Sequence, residues 1–583
     1  MSLCDLSASS LSAMLARGEV RAVEVMAAFL DRIEAANPSL NAVVALRPRE
    51  ALVAEAAAAD RAPRAGWLHG LPLAVKDLVA TSGIATTWGA PLFDGVVPDA
   101  DARLPARLKA AGAILLGKTN APEFGLGSHT FNEVYGATRN PYDPTRSAGG
   151  SSGGAAAALA ARLVPVADGS DMMGSLRNPA AFCNVYGFRP SFGLVPADPV
   201  GDTFLHQLAT DGPMGRTVED VARLLELLAG PDPRVPHAVV PEPYAAALDA
   251  DPAGVRIGWL GDWGGAYPTE PGILAACEAA LAVFGAHGCE IAEVPPPFPA
   301  ERLWDSWTTL RSWAVAARLG PLHADPAKRA RMKPELVWEI ERGLALSAME
   351  VHAASVVRSE WFARVADLFA RFDALALPAA QVWPFPVDWR WPREIAGRAM
   401  DTYHRWMEVV VPVSLAGLPC LALPAGFGPG GLPTGLQLFG RRGADRAILR
   451  LGQAYQRPPA GPGPGPPPPG SRVTVLVSKS RGGGGGGPRP PRPCRLCPVM
   501  ARECPVELGP PVAEHAPGPA QVARGVEVEV RQQHLLGIAR GAGLHRACGS
   551  GQKGRAVEGD LAPVLFLAPD PVRGSERHDV RRG

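Results

Sequence analysis

From Arg457 onward the chain loses the means to build a core, and that break limits what the whole can fold into. The stretch opens Arg457-Pro458-Pro459-Ala460-Gly461-Pro462-Gly463-Pro464-Gly465 and later holds six consecutive glycines at 482–487. Over residues 457–583 there is no Trp or Tyr, and Phe566 is the single Phe. With so few bulky apolar side chains, nothing offsets the entropy lost on ordering a backbone. Folding is therefore expected in residues 1–456, with 457–583 a Pro/Gly/Arg-rich tail. Two origins fit such a tail: a disordered extension, or translation of a GC-rich gene in the wrong frame. Runs of Arg, Pro and Gly arise from out-of-frame GC-rich codons, which favours the second. Cys494, Cys497, Cys504 and His515 invite comparison with a zinc site. Their loose spacing in a Pro/Gly-rich segment argues against it, so no metal is expected.

The first 456 residues read differently. Residues 5–58 place apolar and charged side chains at helical spacing, which predicts two or three opening helices. Short apolar strands such as 113–116 then alternate with helical stretches such as 155–162. That alternation predicts an α/β layer arrangement with a mixed β-sheet covered by helices. A net charge of +1 with 47% apolar residues fits a large buried core. No basic excess supports nucleic acid or an anionic membrane as a general partner. The start, Met1-Ser2-Leu3-Cys4-Asp5-Leu6, lacks the charged and apolar regions of a signal peptide. The alanine-rich run at 155–161 falls well short of the ~20 residues a membrane span needs. A cytoplasmic protein is expected, and Cys4, Cys183, Cys277, Cys289 and Cys420 do not look like a disulfide framework.

The chemistry concentrates in two serine-bearing stretches. One reads Arg146-Ser147-Ala148-Gly149-Gly150-Ser151-Ser152-Gly153-Gly154, the other Asp168-Gly169-Ser170-Asp171-Met172-Met173-Gly174-Ser175-Leu176-Arg177. A serine hydroxyl attacks well only once something takes its proton, and small neighbours let a carbonyl reach the backbone. Lys76, in Leu71-Pro72-Leu73-Ala74-Val75-Lys76-Asp77, is a candidate base. Lysine is scarce here, at seven of the 58 basic residues. Arginine cannot release its proton in a protein, whereas a buried lysine can. Lys76 could also simply pair with a nearby carboxylate; the serines downstream favour the base.

These pieces, with Gly117-Lys118-Thr119-Asn120-Ala121-Pro122-Glu123-Phe124, resemble the amidase signature family of Ser-cisSer-Lys hydrolases. The likeness is densest over residues 68–195 and runs more weakly to about residue 455, through Gly431-Leu432-Pro433-Thr434-Gly435-Leu436-Gln437. It implies Ser175 as acyl nucleophile, Ser151 as a bridging serine in a cis peptide, and Lys76 as neutral base, with Ser152 in support. The proton would pass from Ser175 through Ser151 to Lys76 and return to the leaving nitrogen. Backbone N–H groups of Met172, Met173, Gly174 and Ser175 would form the oxyanion hole. Many members carry two glycines before the nucleophile, whereas this chain has Met173-Gly174, which is expected to narrow the pocket. Asp171 and Arg177 flank the nucleophile and either pair to brace its loop or are ordinary surface charges.

The resemblance further implies a single large α/β/α layered domain in which residues 200–400 cap the site and set substrate preference. Most of the 13 tryptophans fall there, more often packing than touching ligand, and an apolar or aromatic pocket is expected. No cofactor is expected. The partner is a small amide, and a homodimer fits because similar enzymes are often dimers. Two other functions compete: the amidase component of a tRNA-dependent amidotransferase, and a catalytically silent scaffold of the same fold. Residues 112–119, Gly-Ala-Ile-Leu-Leu-Gly-Lys-Thr, spell a phosphate-loop motif. Their apolar middle reads instead as a buried strand, so nucleotide binding is not expected.

Overall fold

Three α-helices open the chain, Ala8–Ala16, Ala22–Leu40 and Arg49–Ala59. The second buries Val25, Met26, Phe29, Leu30 and Ile33, a stripe at helical spacing, and ends at Asn41 in the left-handed region (φ 52°). The computed structural model describes residues 2–198, 201–205 and 207–457. The expectations for the tail, its cysteines and His515 included, lie outside the described residues.

A three-stranded sheet sets β3 (Ile114–Thr119) between β1 (Val43–Val44), antiparallel, and β2 (Pro72–Lys76), parallel. A short hairpin follows, β4 (Phe131–Asn132) with β5 (Gly136–Ala137). The main sheet has eight strands: β6 (Val166–Asp171), β7 (Tyr186–Arg189), β8 (Thr210–Gly215), β9 (Arg256–Trp259), β10 (Glu290–Glu293), β11 (Ala374–Pro378), β14 (Cys420–Phe427) and β15 (Pro433–Phe439). A second hairpin, β12 (Glu394–Ile395) with β13 (Arg398–Ala399), stands apart from it. The spatial order is β10-β9-β11-β15-β14-β7-β8-β6. The β10–β9 and β9–β11 pairs are parallel and the remaining pairs antiparallel, so the sheet is mixed, as the α/β expectation holds.

Two boundaries differ from the expected ones. The strand expected at 113–116 extends to Thr119, which puts Gly117, Lys118 and Thr119 inside β3. A phosphate loop needs open backbone there, and Lys118 instead donates from Nζ to Val79 O and Thr81 Oγ1. The helix expected at 155–162 runs Gly153–Ala160 and is buried along its whole length. A helix buried on every side wants small apolar residues all round. Gly153 and Gly154 are the tight points, since a Cβ would meet Thr130 Oγ1 at the first and the Asn120 backbone at the second.

Long helices from residues 300 to 369 lie over the nucleophile segment: Ala300–His323, Pro334–Leu344 and Ala348–Phe369. Trp304, Trp307 and Trp361 are buried in one apolar cluster with Met173, which makes them packing residues first. Among the described residues, no helix is long and apolar enough to cross a membrane. Cys4, Cys183, Cys277, Cys289 and Cys420 are free and buried.

Candidate active site

Lys76 is the last residue of β2, fully buried, with its backbone N–H donating to the Asp168 carboxylate at 3.2 Å. Its Nζ sits among three hydroxyls: Ser151 Oγ at 2.8 Å, Ser152 Oγ at 2.8 Å and Ser170 Oγ at 2.9 Å. Burial pushes the ammonium down to about 7, against the opposing pull of Asp211, Asp168 and Asp171. A lysine in that range has a substantial neutral fraction near neutrality, which a proton acceptor requires.

The turn that presents Ser151 is pinned from both sides. Thr130 Oγ1 donates to Gly149 O at 2.8 Å, and Ser128 Oγ donates to Gly150 O at 2.5 Å. The peptide bond between Gly150 and Ser151 is cis. Gly149 holds φ 74°, and a Cβ there would stand 2.9 Å from Pro179 Cα, so only glycine fits. Ser152 N–H donates to Ser175 O at 3.2 Å, which ties the first serine turn to the second. Ser151 is 2% exposed and Ser175 7% exposed. Ser175 Oγ makes no hydrogen bond among the described residues.

The segment after β6 is built around one carboxylate. Asp171 accepts Arg177 Nε (3.0 Å) and NH2 (3.0 Å), Arg189 NH1 (3.0 Å), and the N–H groups of Gly174 (2.9 Å) and Leu176 (3.2 Å). Burial alone would raise this carboxyl; the guanidiniums of Arg177 and Arg189 overcome it and hold it far below the usual range. Asp171 and Arg177 are therefore a fully buried ion pair and not surface charges. Arg189, which sequence reasoning missed, completes the cluster from β7.

Of the four N–H groups expected to face an oxyanion, that of Gly174 is already committed to Asp171. Those of Met172, Met173 and Ser175 have no acceptor among the described residues. Gly174 supplies the left-handed step (φ 76°), and Met173 is not among the positive-φ residues, so a side chain is tolerated there. Met173 is 2% exposed, and its Sδ accepts Trp307 Nε1 at 3.2 Å. Met172 Sδ faces Arg311 NH1 at 3.5 Å.

Sequence reasoning also missed Ser170, Asp168 and Asp211. Asp168 and Ser170 occupy alternate positions of β6 and so share a face, a signal present in the motif itself. Asp211 arrives only through pairing, since β8 sets it opposite Ser170. Burial raises the Asp168 carboxyl to about 6 and the Asp211 carboxyl to about 7.

Comparison with known proteins identifies the family of the chain. The family profile described as Amidase matches residues 24–449. The A component of the glutamyl-tRNA(Gln) amidotransferase of Thermus thermophilus is 37% identical over 476 residues, covering 78% of this chain and 97% of that protein. An acylamidase of Rhodococcus erythropolis is 34% identical over 461 residues, covering 77% and 95%. Among solved structures, a bacterial aryl acylamidase of the amidase signature enzymes matches with TM-score 0.73 at 30% identity, covering 78% of this chain and 96% of that one.

Proposed function

The chain belongs to the amidase family, and we propose that it hydrolyses a carboxylic amide to a carboxylate plus ammonia or an amine. Ser175 attacks the carbonyl carbon, and its proton passes to Ser151 Oγ as Ser151 passes its own to neutral Lys76. The N–H groups of Met172, Met173 and Ser175 receive the charge on the tetrahedral oxygen. The relay runs back to protonate the leaving nitrogen, and the C–N bond breaks to give an acyl-Ser175 ester. Water, deprotonated by the same relay, then releases the carboxylate. The observation that carries this reading is Lys76 Nζ, buried and 2.8 Å from Ser151 Oγ.

A second reading remains in the same fold, because several of the similar proteins, from Chloroflexus, Thermus and Roseiflexus, are named as the A subunit of a glutamyl-tRNA(Gln) amidotransferase. Under it, the amide is glutamine and the ammonia is passed to a partner. The stand-alone hydrolase is supported by the likeness to the acylamidase of Rhodococcus erythropolis and to the bacterial aryl acylamidase.

The test is labelling with a fluorophosphonate, followed by mass-spectrometric mapping, on wild type, Lys76→Ala and Ser151→Ala. Label on Ser175 that falls in both variants is the expected result. Folded wild type that takes no label on Ser175 refutes the mechanism and leaves a silent scaffold. Glutaminase activity that appears only with a copurifying protein would favour the amidotransferase.

A further inference from the structure

A carboxylate on β8 stands across from the β6 serine that touches Lys76. In the antiparallel pairing of β6 with β8, Asp211 stands directly opposite Ser170. Residues so opposed share a face with Cβ atoms about 4.5–5.5 Å apart, and Ser170 Oγ is 2.9 Å from Lys76 Nζ. The other charges around this corner are accounted for. From β6, Asp168 accepts the Lys76 backbone N–H, and Asp171 is held by Arg177 and Arg189. Lys118 of β3 acts on Asp168. Arg318 of the helix Ala300–His323 and Asp198 of the preceding loop act on Asp211. Among the described residues, the Asp211 carboxylate makes no hydrogen bond and no ion pair.

We propose that Asp211 is a positioning residue for the relay, whose carboxylate holds the proton on Lys76 and so sets the acid limit of the reaction. The inference rests on Lys76 being the base of the hydrolase. Asp211 opposes the effect of burial on Lys76, as Asp168 and Asp171 do, and of the three it alone has no hydrogen bond or ion pair among the described residues. Removing a negative charge beside an ammonium makes its proton easier to lose. Burial holds the Asp211 carboxyl itself at about 7, so the two groups titrate together; in the Asp211→Asn enzyme Lys76 titrates alone and reaches its active, neutral form at lower pH, the released proton going to solvent.

The experiment is the rate of fluorophosphonate labelling of Ser175 in the full chain between pH 5 and pH 10. For Asp211→Asn the midpoint of the acid limb moves down by about one pH unit, which is roughly tenfold faster labelling on that limb. Asp211→Glu restores the wild-type midpoint, which a merely structural role would not require. Asp211→Ala gives the same readout should the Asn protein fail to fold. A midpoint that stays or rises in both carboxylate deletions, with wild-type Ser175 labelled, overturns this inference alone. Absence of label on wild-type Ser175 overturns the hydrolase reading and this inference with it.

Discussion

Replacing Lys76 by methionine is expected to abolish labelling of Ser175 and at the same time to make the fold more stable at neutral pH. The magnitude follows from burial. Desolvation carries the ammonium from 10.5 down to about 7. At 1.36 kcal/mol per pH unit this is an unfavourable contribution of about 5 kcal/mol to the native state below pH 7. Methionine removes it and also removes the contacts of Nζ with Ser151, Ser152 and Ser170. At about 1 kcal/mol each, those contacts leave a net gain of about 2 kcal/mol at pH 7. The sign changes with pH. Between about 7 and 10.5 the unfolded chain binds a proton that native Lys76 lacks, so wild-type stability rises by about 1.4 kcal/mol per pH unit from this residue alone. The methionine variant has no such slope, and its advantage shrinks and then reverses towards pH 10. Urea unfolding of both proteins, followed by tryptophan fluorescence at pH 7, 8.5 and 10, reads the difference, in which other titrating groups largely cancel. A difference constant to within about 0.5 kcal/mol across that range would refute the account of a lysine kept neutral by burial.

Asp171→Asn leaves the buried guanidiniums of Arg177 and Arg189 around a weaker acceptor. Breaking a buried pair from one side costs about 3–5 kcal/mol, so chemical denaturation of the variant should show a loss of that size; a loss under about 1 kcal/mol would mean the cluster is not what braces the loop. Gly174→Ala forces a side chain into φ 76° against Asn178 Oδ1 and Val410. Displacing the loop by an ångström or so is expected to slow Ser175 labelling by roughly 10²-fold, and a wild-type rate would show that the glycine is dispensable.

What the sequence makes legible here is whatever is spelled locally. Gly149 and Gly150 precede Ser151 because backbone passes close by, and Gly174 precedes Ser175 because its φ is left-handed and side chains crowd it; all three are visible without any structure. Lys76 stands out by its rarity, and the alternation of strands and helices announces the layered α/β fold. What escapes is whatever depends on register or on distant packing. Met173 looks like a defect in a glycine motif until Trp307, 134 residues later, is found donating to its sulfur. Arg189 looks like any surface arginine until β7 carries it to Asp171.

Asp211 is the sharpest case. No spacing rule connects it to Lys76, since it sits in a different strand and comes to the lysine's corner only because β8 pairs with β6 at Ser170. A one-residue slip in that pairing would turn its carboxylate to the opposite face. The reacting groups of such a site can therefore be named from motifs, whereas the pH at which they react is a property of strand register. Two chains with identical Lys76, Ser151 and Ser175 motifs but a different residue opposite Ser170 should share a mechanism and differ in its acid limit.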